Sequence, residues 1–423
     1  MKHPAPLTAI LASFSITLGL SAQDLGTVVR NDPSLAYNVY QPYTPGSPET
    51  IKAPRGFKPF YISHYGRHGS RYFTSEWYFS DGKAGLEALK GAGLLSEDGK
   101  RLYDEFEKLR LSHEKMYGEL SPRGAREHRG ISRRMYERFS RVFKDKSRRK
   151  VNCVSSTIPR CLVSMANFTS ELKGNAPKLD FTFTTGQKYF ELLCKEFAGN
   201  GNFENVAART DSLYRADSRY DKFLSRICSD PEAARKVLQD PLSLAKGIYV
   251  AGCIGPCLDF LDVDLMKYFE PDELATFAIP MNNRIYGDFG NSYEWGPQVC
   301  AAAKQLVGDF VSKADKALEE GSEVAADLRF GHDSGIMPML DLLEIKGYDV
   351  RCRFTEAEKY WYAHERIPMA TNFQMIFYRN CKGEVLVRML CNEAEATIDA
   401  VPAYDGSFYR WNDLREWFLA KSK

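Results

Sequence analysis

Short apolar runs that end in polar residues alternate along this chain with longer amphipathic stretches. The runs at about 57–63, 150–156 and 325–330 are rich in aromatic and aliphatic residues, which predicts three buried strands. Two further apolar segments, Asn372–Arg379 and Glu384–Leu390, lie on either side of a glycine-containing turn and predict a hairpin. Strands that alternate with helical stretches are typical of an α/β fold with a parallel sheet.

The composition changes between residues 178 and 290. Polar segments with helical spacing, such as Asn205–Tyr220, alternate there with loops rich in Gly, Asn and Tyr, and no strand pattern is as strong as those outside. We therefore predict that 178–290 is an inserted, mainly α-helical cap, and that 23–177 and 291–423 together form an α/β catalytic core. A helix predicted at about 295–319 leads the chain back into this core.

The amino end has the pattern of an export signal. Lys2 precedes an apolar run from Leu7 to Leu20, and small residues follow it. This pattern predicts a signal peptide over 1–22 and a periplasmic or extracellular protein. No other stretch approaches the roughly 18 apolar residues of a membrane span, so stable membrane insertion is not expected. The proline-rich residues 24–55 predict an extended arm before the first strand.

Composition and charge narrow the class of protein. With 423 residues, of which 44% are hydrophobic and 26% charged, the chain is long enough to bury a large core. Removing the signal peptide takes away Lys2 and lowers the net charge from +2 to +1, which argues against nucleic acid as the main partner. The oligomeric state cannot be predicted from the sequence.

Cysteine usage is compatible with export. All ten cysteines follow the predicted signal peptide, and an oxidising compartment permits disulfides. Cys381 and Cys391 flank the predicted hairpin, and Cys253 and Cys257 are close enough in sequence for a local bridge, although spacing alone decides neither pairing. No second cysteine or histidine pair stands at metal-ligand spacing, so we expect no metal.

The candidate chemistry lies where the three predicted strands end. The first run ends at Gly66 and is followed by two arginines and a histidine, the second is followed by an arginine, and the third by His-Asp. Because open α/β sheets bind ligands at the carboxyl ends of their strands, we expect these side chains to meet. The candidate residues are Arg67, His68, Arg71, Arg160, His332 and Asp333.

Their residue types suit a phosphate group. Guanidinium groups bind phosphate oxygens in pairs, and Gly66 and Gly69 allow the backbone to approach closely. His68 is either a nucleophile or a proton carrier. A lone histidine is more often structural, and His64, inside the predicted strand, is interpreted in that way.

Three of these motifs resemble those of the histidine acid phosphatases, branch two of the histidine phosphatase superfamily. The family's R-H-G-x-R-x-P motif matches Arg67–Arg71, with Phe73 where proline is usual. Its strand end followed by an arginine and a helix is similar to Ser156–Arg160, and its H-D motif matches His332-Asp333. The resemblance extends over roughly 57–172 and 295–392.

The resemblance implies a phosphoglycerate-mutase-like, three-layer core with a mixed, mostly parallel sheet. It further implies a secreted phosphomonoesterase that needs no cofactor or metal and acts on a small-molecule phosphate ester. In this family the residue at His68 attacks phosphorus and becomes a phosphohistidine, and Asp333 protonates the leaving oxygen. The residues that bind the phosphoryl oxygens are then Arg67, Arg71, Arg160 and His332.

The expected substrate is an inositol polyphosphate such as phytate. The segments Ile367–Asn372 and Val387–Glu393 resemble those of multiple inositol polyphosphate phosphatases, although that subfamily usually has H-A-E where this chain has His332-Asp333. The alternatives are a broad-specificity or sugar-phosphate acid phosphatase, a phosphomutase, and an exported protein that binds phosphate esters without turnover. A phytate enzyme would need basic cap residues facing the loop; the candidates are Lys188, Lys195, Arg209 and Arg215.

Overall fold

The computed structural model describes residues 24–46, 52–194 and 202–423. The predicted signal peptide at 1–22 lies outside the described residues. One mixed sheet forms the centre of the molecule, in the strand order β3-β2-β4-β1-β5-β6-β7, with β8 paired to β6. The strands are β1 (Lys58–Arg67), β2 (Lys150–Ser155), β3 (Asp180–Thr184), β4 (Val324–Gly331), β5 (Asn372–Arg379), β6 (Val385–Cys391), β7 (Ala394–Ala396) and β8 (Phe408–Arg410).

The strands β3, β2, β4 and β1 run parallel, and β1 pairs antiparallel with the hairpin strand β5. Arg67 at the end of β1 is level with Gly331 at the end of β4, and Ser155 at the end of β2 is level with Phe330. The three predicted strands therefore end at one edge of the sheet. The first strand continues through Gly66, which pairs with both neighbouring strands, whereas the sequence predicted a turn there.

Sixteen helices are seen among the described residues. They are α1 (Leu25–Asn31), α2 (Ser80–Gly91), α3 (Glu97–Ser112), α4 (Pro122–Lys144), α5 (Pro159–Asn175), α6 (Gln187–Leu193), α7 (Asn202–Asp217), α8 (Asp221–Ile227), α9 (Pro231–Val237), α10 (Pro241–Cys253), α11 (Pro271–Phe289), α12 (Gly296–Ala301), α13 (Lys304–Leu318), α14 (Asp333–Leu342), α15 (Ala363–Arg366) and α16 (Trp411–Ser422). The 3₁₀ segments are Pro33–Leu35, Asn38–Tyr40, Glu76–Phe79, Gly255–Leu261, Met266–Tyr268 and Phe354–Lys359.

Helices cover both faces of the sheet, which makes three layers. Helices α4 and α5 pack on one face, and α13 and α14 on the other. In β1, Ile62 contributes to the apolar cluster under α4 and α5, and Tyr61 and Tyr65 contribute to the cluster on the opposite face. A strand that is covered on both faces is apolar nearly throughout, which explains the continuous run in the sequence. The predicted α/β fold class is confirmed.

Three elements of the structure differ in detail from the sequence predictions. Residues 24–55 begin with α1, whose first turn is capped by the Asp24 side chain and whose Leu25 and Val29 are buried, so this segment is not an extended arm throughout. The helix predicted at 295–319 is two helices, α12 and α13. Strand β3 extends the sheet at residues 180–184, inside the segment predicted as the cap, because its backbone pairs with β2. The division into core and cap remains a prediction.

Neither candidate disulfide, Cys381–Cys391 or Cys253–Cys257, is formed in the structure. Cys257 donates a hydrogen bond to the carbonyl of Tyr40 at 3.3 Å, and Cys391 lies 3.1 Å from the Tyr348 hydroxyl. Within the described residues, no single helix has the length and apolar composition of a membrane span. The helix α10 and the 3₁₀ segment Gly255–Leu261 together have the length and composition of a span, but the two are bent by 65° relative to each other.

Candidate active site

The aligned strand ends bring the six predicted residues together. The His68 backbone N–H donates to the carbonyl of Gly331 at 2.9 Å, which joins the loop after β1 to the end of β4. The Ser156 N–H donates to the carbonyl of Phe330 at 3.1 Å and attaches the end of β2 to the same place. These backbone bonds explain why residues far apart in sequence form one cluster.

His68 is buried, and its environment selects one tautomer. Its Nδ1 lies 2.9 Å from the carbonyl oxygen of Gly69. A carbonyl oxygen only accepts, so Nδ1 carries the hydrogen and Nε2 keeps its lone pair. Burial, followed by the charges of Arg160, Arg67 and Arg71, lowers the pKa of His68 well below its usual value. The ring therefore stays neutral in mild acid, with Nε2 available as a nucleophile.

Arg67 is fixed by the backbone around it. Its Nη1 donates to the carbonyls of Val39, Ile367 and Pro368 at 2.7–3.0 Å. Its Nη2 lies 2.8 Å from a carboxylate oxygen of Asp333, and the Arg67 side chain is fully buried. Such a guanidinium is held in one orientation before any ligand binds, which is the preorganisation that electrostatic stabilisation requires.

Arg71 and Arg160 are less completely bonded. Arg71 donates through Nη1 to the carbonyl of Tyr72 at 2.8 Å, and Arg160 donates to the carbonyl of Gly118 at 3.4 Å. In both side chains Nε is buried and has no hydrogen-bond acceptor among the described residues, and the same holds for Nε of Arg67. Buried donors are normally satisfied, so the three guanidinium groups fit an anion that supplies the missing acceptors.

His332 connects the end of β2 with the end of β4. Its Nδ1 lies 3.5 Å from Nη2 of Arg160, and its Nε2 lies 2.9 Å from the hydroxyl of Ser156. A guanidinium only donates, so Nδ1 accepts and Nε2 carries the hydrogen. Burial, followed by the positive charge of Arg160, lowers the pKa of His332 to about 3. The His332 ring centre lies 5.6 Å from that of His68.

Asp333 is the carboxyl group of the cluster and the first residue of α14. One of its oxygens accepts from the Ser334 N–H at 3.0 Å, and the other faces Arg67. Burial alone would raise the pKa of Asp333, but the charges of Arg67, His332 and Arg71 outweigh burial and lower it. The carboxyl is therefore ionised in the free protein in mild acid. A bound phosphate dianion would counter those cations and favour its protonation.

The sequence analysis missed Glu127 on α4, which holds the loop between Arg67 and Arg71. Its carboxylate accepts from the N–H and the hydroxyl of Ser70, both at 2.7 Å, and from the N–H of Tyr43 at 3.1 Å. Burial raises the pKa of Glu127, although these hydrogen bonds oppose the rise. No motif marks this residue, because its partners lie in two distant segments.

A Glu127→Gln substitution should loosen this loop. Glutamine presents an N–H₂ group where the loop offers N–H donors, so at least one buried donor loses its acceptor. We expect the free energy of unfolding to fall by about 1–3 kcal/mol, measured by chemical denaturation. The control is Glu137→Gln, an exposed position on the same helix, which should change stability by less than about 0.5 kcal/mol. Equal stability of the two variants would contradict the assignment.

Gly69 is required by packing. A Cβ at this position would lie 2.6 Å from the backbone of Gly124 in the first turn of α4. The close approach that the sequence suggested is therefore made to α4. Phe73, which replaces the usual proline, is fully buried and stacks on Tyr78 with ring centres 4.4 Å apart. It supports the loop from the interior of the protein.

A cavity of about 530 Å³ opens beside the cluster, and Arg71 and Asp333 are part of its lining. Among the described residues, its other charged side chains are Lys246 on α10, Asp211 on α7, and Arg284 and Asp288 on α11. A second cavity of about 440 Å³, lined in part by Gln41, Lys346 and His364, includes none of the six predicted residues.

Of the four basic cap residues predicted to face the loop, the three that the structure describes do not line the first cavity. Arg209 lies over the ring of Phe354, and Arg215 pairs with Asp211 and Asp240. Lys188 is exposed, and Lys195 lies outside the described residues. The positive charge on the cavity wall formed by α10 and α11 comes instead from Lys246 and Arg284. Helical periodicity did not distinguish them from the other basic positions of the segment.

The cluster combines two neutral histidines, three arginines and one carboxyl group, which are the groups that phosphoryl transfer uses. Among the described residues, no three His, Cys, Asp or Glu side chains are grouped as metal ligands would be.

The fold is similar to that of solved phosphatase structures. A Bifidobacterium longum multiple inositol polyphosphate phosphatase, in complex with inositol hexasulfate, matches with a TM-score of 0.76 at 20% identity, over 92% of this chain and 98% of that chain. The same protein in complex with phosphate matches with a TM-score of 0.76 at 21% identity over the same shares. A phytase from D. castellii matches with a TM-score of 0.70 at 15% identity, over 92% of this chain and 85% of that chain.

These matches confirm the predicted resemblance at the level of the fold, which is that of the multiple inositol polyphosphate phosphatase and the phytase. A scan against protein-family models finds no match for the chain, and neither does a search of curated proteins.

Proposed function

We propose that this protein is a phosphomonoesterase that works through a phosphohistidine at His68. The observation that carries the proposal is the neutral His68 ring, whose Nδ1 hydrogen is bonded to Gly69, whose Nε2 forms no hydrogen bond with a described residue, and whose pKa is lowered by burial and by three nearby arginines. A neutral nucleophile inside a cationic cluster suits attack on an anionic phosphate.

The reaction has two steps. The lone pair of His68 Nε2 attacks phosphorus, the bond from phosphorus to the ester oxygen breaks, and Asp333 gives its proton to that oxygen. Asp333 then accepts a proton from water, the water oxygen attacks phosphorus, and the nitrogen–phosphorus bond breaks to release phosphate and free His68. Arg67, Arg71 and Arg160 stabilise the charge on the phosphoryl oxygens in both steps. His332, the fourth predicted phosphate ligand, joins them only when its Nδ1 carries the hydrogen, because in the free protein its neutral ring accepts from Arg160 through Nδ1 and donates to Ser156 through Nε2.

Inositol polyphosphates are the proposed preferred substrates. The support comes from similar proteins: the Bifidobacterium longum enzyme is a multiple inositol polyphosphate phosphatase with structures holding inositol hexasulfate and phosphate, and the D. castellii protein is a phytase. The adjacent cavity also carries basic side chains, Lys246 and Arg284, beyond the phosphate cluster.

A second candidate, an acid phosphatase for esters with an uncharged leaving group, is favoured by the pairing of those basic side chains. Lys246 lies 3.0 Å from Asp211, and Arg284 lies 3.5 Å from Asp288. An acid beside each cation reduces the attraction of this wall for further phosphate groups.

The deciding experiment is a substrate panel. Phosphate release from inositol hexakisphosphate, glucose 1-phosphate and an aryl phosphate is measured from mildly acidic to neutral pH without added metal. Preferred hydrolysis of the hexakisphosphate supports the first candidate, and comparable rates on all three support the second. Migration of phosphate within glucose 1-phosphate would indicate a phosphomutase, and binding without release would indicate a non-catalytic binding protein.

Export is also proposed, from the predicted signal at residues 1–22. The chain recovered outside the cytoplasm should begin near residue 23, and amino-terminal sequencing of the purified protein tests this. A chain that stays in the cytoplasm and retains Lys2 would contradict it.

A further inference from the structure

The pair Arg284–Asp288 on α11 has no role in the two-step reaction, yet it faces the cavity beside the reacting groups. The two residues are one helical turn apart, and Nε of Arg284 lies 3.5 Å from an oxygen of Asp288. The side chain of Asp288 is 8% exposed, whereas that of Arg284 is 44% exposed. The carboxyl is thus held in place, and the guanidinium is free to turn toward solvent or a ligand.

The contact between them is incomplete. The other carboxylate oxygen of Asp288 is buried and has no hydrogen-bond partner among the described residues. Burial raises the pKa of Asp288 to about 6, a rise that Arg284 opposes and the charge of Asp333 increases. The ionised carboxyl is therefore poorly stabilised, and it changes its charge within the range where acid phosphatases work.

The second pair on this wall behaves differently. Lys246 donates to Asp211 at 3.0 Å. The hydrogen bond from Lys246 is the largest influence on Asp211 and lowers its pKa; burial opposes this, and Arg215 supports it. Asp211 thus stays ionised and Lys246 stays paired in mild acid, so only the α11 pair changes state there.

Within the part of the chain that the structure describes, Asp288 shares its cavity with eight other charged or titratable side chains. They are Arg284, Arg71, Asp333, Asp211, Lys246, Tyr40, Tyr78 and Tyr214. On other elements packed against α11, Glu358 accepts a hydrogen bond from Asn283, and burial raises the pKa of Asp341 well above its usual value. Arg284 and Asp333 are the two that act on the charge of Asp288.

We propose that Arg284 and Asp288 form a proton-operated recognition element for the outlying phosphates of a multiply phosphorylated ester. When Asp288 is protonated, Arg284 is released to bind a second phosphate group. When Asp288 is ionised, it neutralises Arg284 and repels that group, and only the phosphate in the cluster is bound. The inference rests on the proposed function for the identity of the ligand, and it makes the two substrate candidates two states of one site.

The test measures binding, so that it does not depend on turnover. Inositol hexasulfate is the probe, because its sulfate esters stay ionised across the pH range, and inorganic sulfate is the single-anion reference. Calorimetry gives both dissociation constants for the full chain from about pH 4.5 to about pH 7.5. The quantity compared is the affinity for hexasulfate relative to that for sulfate.

In the wild type this ratio should be constant below the pKa of Asp288. Above that pKa the ratio should fall about tenfold for each pH unit, because the protonated fraction of Asp288 falls in that way. Asp288→Asn should hold the ratio near its acid value throughout. Arg284→Gln should give a low ratio at every pH. Asp272→Asn, an exposed carboxyl at the start of the same helix, should follow the wild type.

A pH-independent ratio in the wild type would overturn the proposal, as would an Asp288→Asn ratio that falls like the wild type. If Asp288→Asn does not fold, the wild-type and Arg284→Gln profiles still decide the matter. Phosphate release that does not depend on His68 would refute the proposed reaction and leave the binding result intact, so the two failures are distinguishable.

Discussion

His68→Ala should lower kcat for phosphate release by at least about 10³-fold, because it removes the atom that forms the bond to phosphorus. The arginines and Asp333 remain, so the variant should still bind phosphate. Rapid quenching of the wild type with labelled substrate into an alkaline denaturant, in which the nitrogen–phosphorus bond is stable, should trap phosphate on the protein, and the variant should trap none. Steady-state kinetics and quenching together separate the nucleophile from a general base.

His364→Ala is the matched control, since His364 lies at the second cavity, away from the cluster. It should keep the activity of the wild type within about threefold and trap the same amount of label. If His68→Ala releases phosphate as fast as the wild type, His68 is not the nucleophile, and the protein at most binds phosphate esters at this cluster.

The parts of this site that the sequence predicts are those carried by the strand ends. A buried parallel strand has a recognisable apolar pattern, and the residue after it must lie at the edge of the sheet. Arg67, Arg160 and Asp333 were found in this way, and backbone pairing places them together. The same logic located the end of β1 at Gly66 instead of Arg67, because a glycine is also tolerated inside a strand where neighbours crowd it.

The groups that depend on how helices turn toward the cavity could not be predicted. Periodicity shows which face of a helix is polar, but not which distant loop that face meets. Arg209 and Arg215 were as plausible as Lys246 and Arg284, and tertiary packing selected the latter pair. Glu127 was missed for a related reason, because a buried carboxylate that bonds to the backbone of Ser70 has no sequence signature.

Asp333→Asn should slow alkyl phosphates by about 10²–10³-fold and aryl phosphates by no more than about tenfold. An alkoxide is a poor leaving group and needs the proton of Asp333, whereas an aryl oxide of low pKa leaves without it. Asparagine keeps the size of the side chain and removes the acid. The Arg67 pair is lost as well, and this affects both substrates equally, so the measurement is the ratio of kcat/KM for the two leaving groups.

The pH dependence sharpens this prediction. The cations around Asp333 lower its pKa in the free protein, so its proton is available only when a bound phosphate anion offsets them. The wild-type kcat for an alkyl phosphate should therefore fall as pH rises, and this fall should be absent in Asp333→Asn. Ser334→Ala, which leaves the backbone N–H that bonds to Asp333, serves as the neighbouring control. It should retain both the leaving-group ratio and the fall of kcat with rising pH. Equal slowing of both substrates by Asp333→Asn would assign the proton to another donor and leave Asp333 only its ion pair with Arg67.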